Sequence, residues 1–214
     1  MTTTSTPARQ PRAPQQERGM QRMSQILDAA EQVIGEVGVD AASVQAIAER
    51  AGASMGSLYH FFPSKQAVIE ALAERCITRV TEVNEANTSP AMIGLPLEPL
   101  FGQIVDAQVQ LKQQLPCFSE VHDFVLKTPG GRDLRERMDR VLLDQVESFL
   151  GARMPGMPVA LRRSSAHLAI TMVHGVLEAI DQMPPEAAEP LVHELRASLV
   201  RYFEPYDRQY GRGA

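Results

Sequence analysis

The sequence predicts an all-α fold in two parts, three short helices followed by a bundle of longer ones. Apolar residues recur at helical spacing along most of the chain, and no stretch of useful length alternates as a strand does. Cap and breaker residues divide the pattern at helical lengths, giving about nine helices in all.

Taken in order, Ile26, Leu27, Ala30, Val33, Ile34 and Val37 form the one-sided stripe of a helix starting at Ser24, and Gly38 supplies the left-handed residue that stops it. Ser43 caps a second, short helix carrying Val44, Ile47 and Ala48, which ends at Gly52. Ser54 caps a third over 55–61, and Pro63 prevents its extension. Ser64 caps a long fourth helix over 65–86, with Val68, Leu72, Cys76, Val80 and Val83 on one face. Past Pro90, Gly94, Pro96 and Pro99, a fifth helix runs over 100–114. Pro116 introduces a shorter segment over 117–126, closed by Thr128-Pro129-Gly130-Gly131. A helix over 132–150 carries Leu134, Met138, Val141, Leu142, Val146 and Phe149. After a loop over 151–158 come helices over 159–181 and 186–203, separated by Met183-Pro184-Pro185. The fourth helix belongs to both parts and ties them mechanically.

Composition narrows the class. With 44% hydrophobic and 22% charged residues, the chain reads as an ordinary soluble globular protein. Two cysteines, Cys76 and Cys117, cannot frame a disulfide scaffold of this size, so a reducing compartment is expected. No apolar run approaches the roughly 20 residues needed to cross a bilayer, and the first residues lack the hydrophobic segment of a secretory signal. The expectation is a cytoplasmic protein without membrane contact.

A net charge of −5 argues against non-specific coating of nucleic acid, yet a partner feels the local field and not the sum. Residues 1–22 carry Arg9, Arg12, Arg18 and Arg22 against Glu17 alone. A flexible basic arm over 1–19 reads as a solvated tail, or as a phosphate or minor-groove contact where a nucleic-acid-binding unit follows it.

The stretch 43–65 offers such a unit. Two short helices joined at a glycine, with small residues where they cross, meet the needs of a helix-turn-helix. Ala48 lets the helices approach, Gly52 takes the turn, and Ile47 and Leu58 seal the interface, leaving Met55, Gly56, Ser57 and Tyr59 to face outward. The same spacing also suits any capped helical hairpin.

Residue identities go further. Ile26-Leu27-Asp28-Ala29-Ala30, Gly38-Val39-Asp40-Ala41-Ala42-Ser43-Val44, Ile47-Ala48, Ala51-Gly52, Leu58-Tyr59 and Phe62-Pro63-Ser64-Lys65 stand in an order and spacing that resembles the N-terminal domain of the TetR family of transcriptional regulators. The resemblance covers about residues 20–75; beyond it, helix number and chain length agree. It implies an N-terminal helix-turn-helix domain over 20–80 and a C-terminal ligand-binding and dimerisation domain over 81–214. It further implies that Ser43 bonds a phosphate, Gln45 reaches the groove, and Ser54, Met55, Gly56, Ser57 and His60 belong to the DNA-facing surface of the recognition helix. Tyr59 would give its hydroxyl to a phosphate, and Lys65, at a helix start, would grip another. One departure stands out. Where the family usually has His or Tyr, this chain has Phe61, which cannot bond a phosphate; His60 is the substitute. Met55 offers only apolar contact, so direct base reading rests on Gln45 and Ser57, and DNA shape must add specificity.

For the second part the resemblance implies a homodimer through the last two long helices, supported by Leu168, Val173, Val176, Leu177 and Ile180, and by Leu191, Leu195, Leu199 and Tyr202, with Gly175 at the crossing. Intramolecular core explains some of these equally well. A cavity for a small apolar or aromatic effector would be lined by Phe101, Ile104, Val105, Phe118, Phe124, Met138, Leu142 and Met172, with His122, His167 and His174 as polar anchors. Each lining residue also suits plain core. No metal spacing, Gly-rich phosphate loop, nucleophile elbow or His-Glu-x-x-His motif occurs, so neither enzyme nor cofactor is expected. The functional expectation is a palindrome-binding repressor released by its ligand. The alternative is a DNA-organising or protein-partnered relative without one.

Overall fold

The computed structural model describes residues 15–211 except 116, 118–120, 122–123, 125–126, 128 and 181, and of 15, 16, 129–131, 134 and 185 it describes only the backbone. Among the described residues the chain forms eight α-helices and no strand. It divides into two compact units, residues 1–72 and 73–214.

In the first unit, α1 (Gln15–Ala41) starts well ahead of Ser24, so Arg18 and Arg22 lie on a helix and not on a flexible arm. Tertiary contacts account for the extension. The Arg22 guanidinium donates to the carbonyls of Gly52 (2.6 Å) and Ala51 (3.3 Å), and the Phe61 ring lies 4.0 Å from where a β-carbon on Gly19 would stand. Gly38, at φ 79°, breaks α1 as its position in the sequence requires. Next come α2 (Val44–Arg50) and α3 (Met55–Phe61), each opened by a serine whose Oγ accepts a backbone N–H: Ser43 from Ala46 (3.1 Å) and Ser54 from Ser57 (3.2 Å). The core beneath them holds Ile26, Ile34, Ile47, Leu58, Val68 and Leu72, all at most 1% exposed. Then α4 (Lys65–Asn87) starts at Ser64, which accepts from the Ala67 N–H at 3.1 Å.

In the second unit a single 3-10 turn (Pro90–Met92) leads to α5 (Leu97–Gln114), followed by α6 (Pro129–Arg153), α7 (Val159–Ile180) and α8 (Pro185–Tyr210). α5 packs on α8 and α7, α6 on α7, and α7 on α8. Their core stacks Phe101 on Phe203, ring centroids 5.3 Å apart, among Leu100, Met154, Leu195 and Leu199. Several boundaries differ from the sequence expectation: α5 begins at Leu97 and not at Leu100, and α6 ends at Arg153 and not at Leu150. α6 begins at Pro129 and not at Arg132, because proline's missing N–H costs nothing in a first turn. α8 runs past Phe203 through Pro205 to Tyr210, held there by Tyr206 and Tyr210 against the core and by the Arg153–Asp207 pair. The helix expected over 117–126 falls largely outside the described residues; within it Cys117 and Val121 are buried and Phe124 is half-buried. Cys76 and Cys117 are both buried and not joined in a disulfide.

Candidate functional site

In the first unit the turn between α2 and α3 determines what the surface presents. Gly52 sits at φ 56°, where a β-carbon would be strained but would meet nothing within 4 Å. Ala48 and Ile47 of α2 and Leu58 of α3 are at most 2% exposed and seal the crossing. Arg22 clamps the turn from α1 through the two carbonyls named above, which satisfies C-terminal groups of α2 with a charged donor. The sequence shows Arg22 only as one of the basic residues of 1–22; its partners lie 29 and 30 positions away, so no local pattern signals the contact. A second brace is the forked pair Arg50–Glu36, 2.8 Å for both hydrogen bonds. The Arg50 hydrogen bonds hold the Glu36 carboxyl below the usual carboxylate range.

On this scaffold Ser43, Gln45, Ser54, Met55, Gly56, Tyr59 and His60 are exposed, and Ser57 and Lys65 are half-buried. Met55 is 38% and Tyr59 49% exposed, large surfaces that no intramolecular packing covers. Ser43 uses a lone pair for its cap and retains its hydroxyl proton for an acceptor. Gln45 donates to Glu49 (3.0 Å), one turn along, and Lys65 donates to the Asp40 carbonyl (3.0 Å). Phe61 is half-buried, edge-on to His60 at 5.1 Å and close to Gly19. That packing explains an apolar ring where the family pattern has a phosphate contact.

The second unit holds a cavity of about 90 Å³. Of the residues expected to line it, Phe101, Ile104 and Leu142 do; Val105 is fully buried and, with Phe124, Met138 and Met172, is not among its walls. Phe118 and His122 lie outside the described residues. His174 lines the cavity, and His167 is exposed and does not. α4 contributes Asn84 and Asn87, not Cys76, Val80 or Val83. Asn87 follows Val83 by four residues and Val80 by seven, so a polar side chain continues the apolar stripe of α4 at its last turn, with Asn84 at the edge of the stripe. Gln108 donates to Asn84 Oδ1 at 2.8 Å, and the Thr88 hydroxyl donates to the Asn84 carbonyl at 2.8 Å. Arg153, 8% exposed, also lines the cavity while bonding Asp207 twice and the carbonyls of Ile93 and Leu95. Sequence reasoning missed Asn84, Asn87, Gln108 and Arg153, since polar residues on a helix ordinarily read as solvated.

Along α7 and α8, Val173, Leu195 and Leu199 are buried in the unit's own core, whereas Leu168 is 41% and Val159 62% exposed. Tyr202 and buried Ser165 share a hydrogen bond of 2.9 Å. Among the described residues no three His, Cys, Asp or Glu side chains could hold a metal, and no helix is long and apolar enough to cross a membrane.

Residues 26–72 match the sequence profile "Bacterial regulatory proteins, tetR family", and residues 96–203 match "Tetracyclin repressor-like, C-terminal domain". The chain is similar to BetI, an HTH-type transcriptional regulator of Cronobacter sakazakii, with 31% identity over 184 residues, 79% of this chain and 82% of that one. It is similar to YvdT, an uncharacterized HTH-type transcriptional regulator of Bacillus subtilis, with 41% identity over 61 residues; the match spans 28% of this chain and only 31% of YvdT. Among solved structures it is similar to a TetR-family transcriptional regulator from Streptomyces coelicolor, with TM-score 0.58, 27% identity, and coverage of 86% of this chain and 99% of that one.

Proposed function

The chain belongs to the TetR family of bacterial transcriptional regulators, which are DNA-binding proteins and not enzymes, and from that membership we propose that it is a cytoplasmic homodimeric repressor released from a palindromic operator by a small effector. The observation that carries the reading is the exposed face of α3: Met55, Tyr59 and His60 stand uncovered on a short helix braced by Arg22 and Gly52. In this reading Ser43, Tyr59 and Lys65 hold phosphates, and Gln45, Met55 and Ser57 face base edges, with Ser54, Gly56 and His60 completing the contact. Gln45 must exchange Glu49 for a base to do so.

A single recognition helix buries too little for tight binding, and a two-fold pair doubles the contacts. Exposed Leu168, on α7, supports pairing through α7 and α8. The cavity favours a sensor over a purely DNA-organising role. One continuous helix, α4, carries Lys65 in its first turn and Asn84 and Asn87 in its last, so an effector that reorients α4 acts on the DNA contacts. Release requires a coupling of about 1–3 kcal/mol, a 5- to 150-fold change in affinity.

The test is selection of fragments from the host genome on the purified protein, followed by footprinting. Protection of two symmetric half-sites about one helical turn apart is expected. A single unsymmetrical half-site, or no protection, refutes the reading.

A further inference from the structure

The cavity walls are mostly aromatic and aliphatic, with Phe101, Phe149, Phe203, Leu100 and Val173 among them. Its polar groups are Arg153 of α6, His174 of α7 and a cluster where the last turn of α4 meets Gln108 of α5. Within this cluster the Asn84 Oδ1 accepts from Gln108 and the Thr88 hydroxyl donates to the Asn84 carbonyl. Asn87 differs. Its residue is 8% exposed, and its Nδ2 is buried without a hydrogen-bond partner. A buried amide donor left unmade is destabilising, whereas one that meets an acceptor is not.

Charge narrows what that acceptor belongs to. Arg153 makes four hydrogen bonds within the protein, and its charge is matched by Asp207. The C-terminal end of α4 carries negative partial charge, which disfavours an anion. No Asp or Glu lies among the described walls to balance a cation. The volume, about 90 Å³, falls below that of drug-sized sites, roughly 300–1,000 Å³. It is nearer to engineered cavities of about 150 Å³ that take benzene.

Resting on the reading of this cavity as the effector site, we propose that the effector is an uncharged molecule about one ring in size bearing a carbonyl-type oxygen, and that a turn of the Asn87 side chain brings its Nδ2–H out to donate to this oxygen. Asn87 thus selects a ketone, amide or ester over a hydrocarbon of the same shape, and the ligand's one polar bond is made to α4.

The test uses the full-length protein with three probes: acetophenone, α-methylstyrene (the same shape with CH2 in place of oxygen) and benzoate. Binding is measured by ligand-observed NMR, for the unsubstituted protein and for Asn87→Leu. The expected result is that the ratio of the acetophenone and α-methylstyrene dissociation constants shifts about tenfold against acetophenone in Asn87→Leu, while the ligand-free variant melts a few degrees higher. Benzoate binds more weakly than acetophenone. In the unsubstituted protein, which needs no variant to fold, the Asn87 side-chain amide resonances move with acetophenone and stay in place with α-methylstyrene. If both neutral probes bind and neither the ratio nor these resonances respond, the inference is overturned and the cavity reading stands. If benzoate binds best, the uncharged class is wrong. If no probe binds, the cavity reading fails and the inference with it.

Discussion

Replacing Arg153 with methionine removes a side chain of similar length together with every polar contact it makes. Arg153 stands at the end of α6, with its side chain 9% exposed. It bonds Asp207 of α8 at 2.7 and 3.0 Å, the Ile93 carbonyl at 2.9 Å and the Leu95 carbonyl at 2.7 Å. One guanidinium therefore joins α6, α8 and the turn before α5. Its loss leaves two carbonyls without that donor and a carboxylate without its counter-charge. Breaking a buried pair costs about 3–5 kcal/mol. The Asp207 side chain retains 27% exposure, so water solvates part of the stranded charge and the expected loss is the lower end, about 3 kcal/mol. At this chain length each kcal/mol moves the melting temperature by roughly 2–4 °C, so Arg153→Met should melt about 6–12 °C lower. Urea denaturation followed by circular dichroism gives the free energy directly, and the cycle with Asp207→Leu isolates the pair. The double variant should lose less than the sum of the two single losses, by at least about 1 kcal/mol, because neither charge is then stranded. A loss below about 1 kcal/mol for Arg153→Met, or strict additivity in the cycle, would refute this account.

Further outcomes follow from the first unit. Lys65→Ala and Tyr59→Phe should weaken binding to all operators alike, and Lys65→Ala should lower the slope of log affinity against log salt by about one; an unchanged slope removes Lys65 from the phosphate contacts. Substituting Ser57 or Gln45 should change which operators are selected from a random pool, and uniform weakening would show that neither reads bases. Gly52→Ala should cost about 1 kcal/mol, from strain at φ 56° and not from a clash, as read by denaturant midpoint. Glu36, held below the usual carboxylate range chiefly by its hydrogen bond from Arg50, stabilises the fold above the ordinary carboxylate pKa, and that share is lost as pH falls through the lowered value. Glu36→Gln should therefore flatten the acid limb of a stability-against-pH curve; an unaltered limb would show that the pair contributes nothing.

The local elements of this protein are written in its sequence, because caps, breakers and periodicity act over only a few residues. Ser43, Ser54 and Ser64 cap helices as their side chains dictate, and Gly38 and Gly52 take the positive φ that other residues resist. The family was legible too, since the residues that shape a helix-turn-helix lie close together between 26 and 65. Tertiary structure alone decided what depends on distant partners. Arg22 became a clamp because α1 passes the α2–α3 turn, and Phe61 an apolar contact because Gly19 leaves it room. α8 continued through Pro205 because Arg153 and the tyrosines bind its last turns. Cavity membership was the least legible. A side chain such as Asn87 reads as solvated on its own helix, and only the packing of α4, α5, α6, α7 and α8 turns that polar position into a buried donor. Periodicity reports which face of a helix is apolar; it carries no information about where packed faces fail to close.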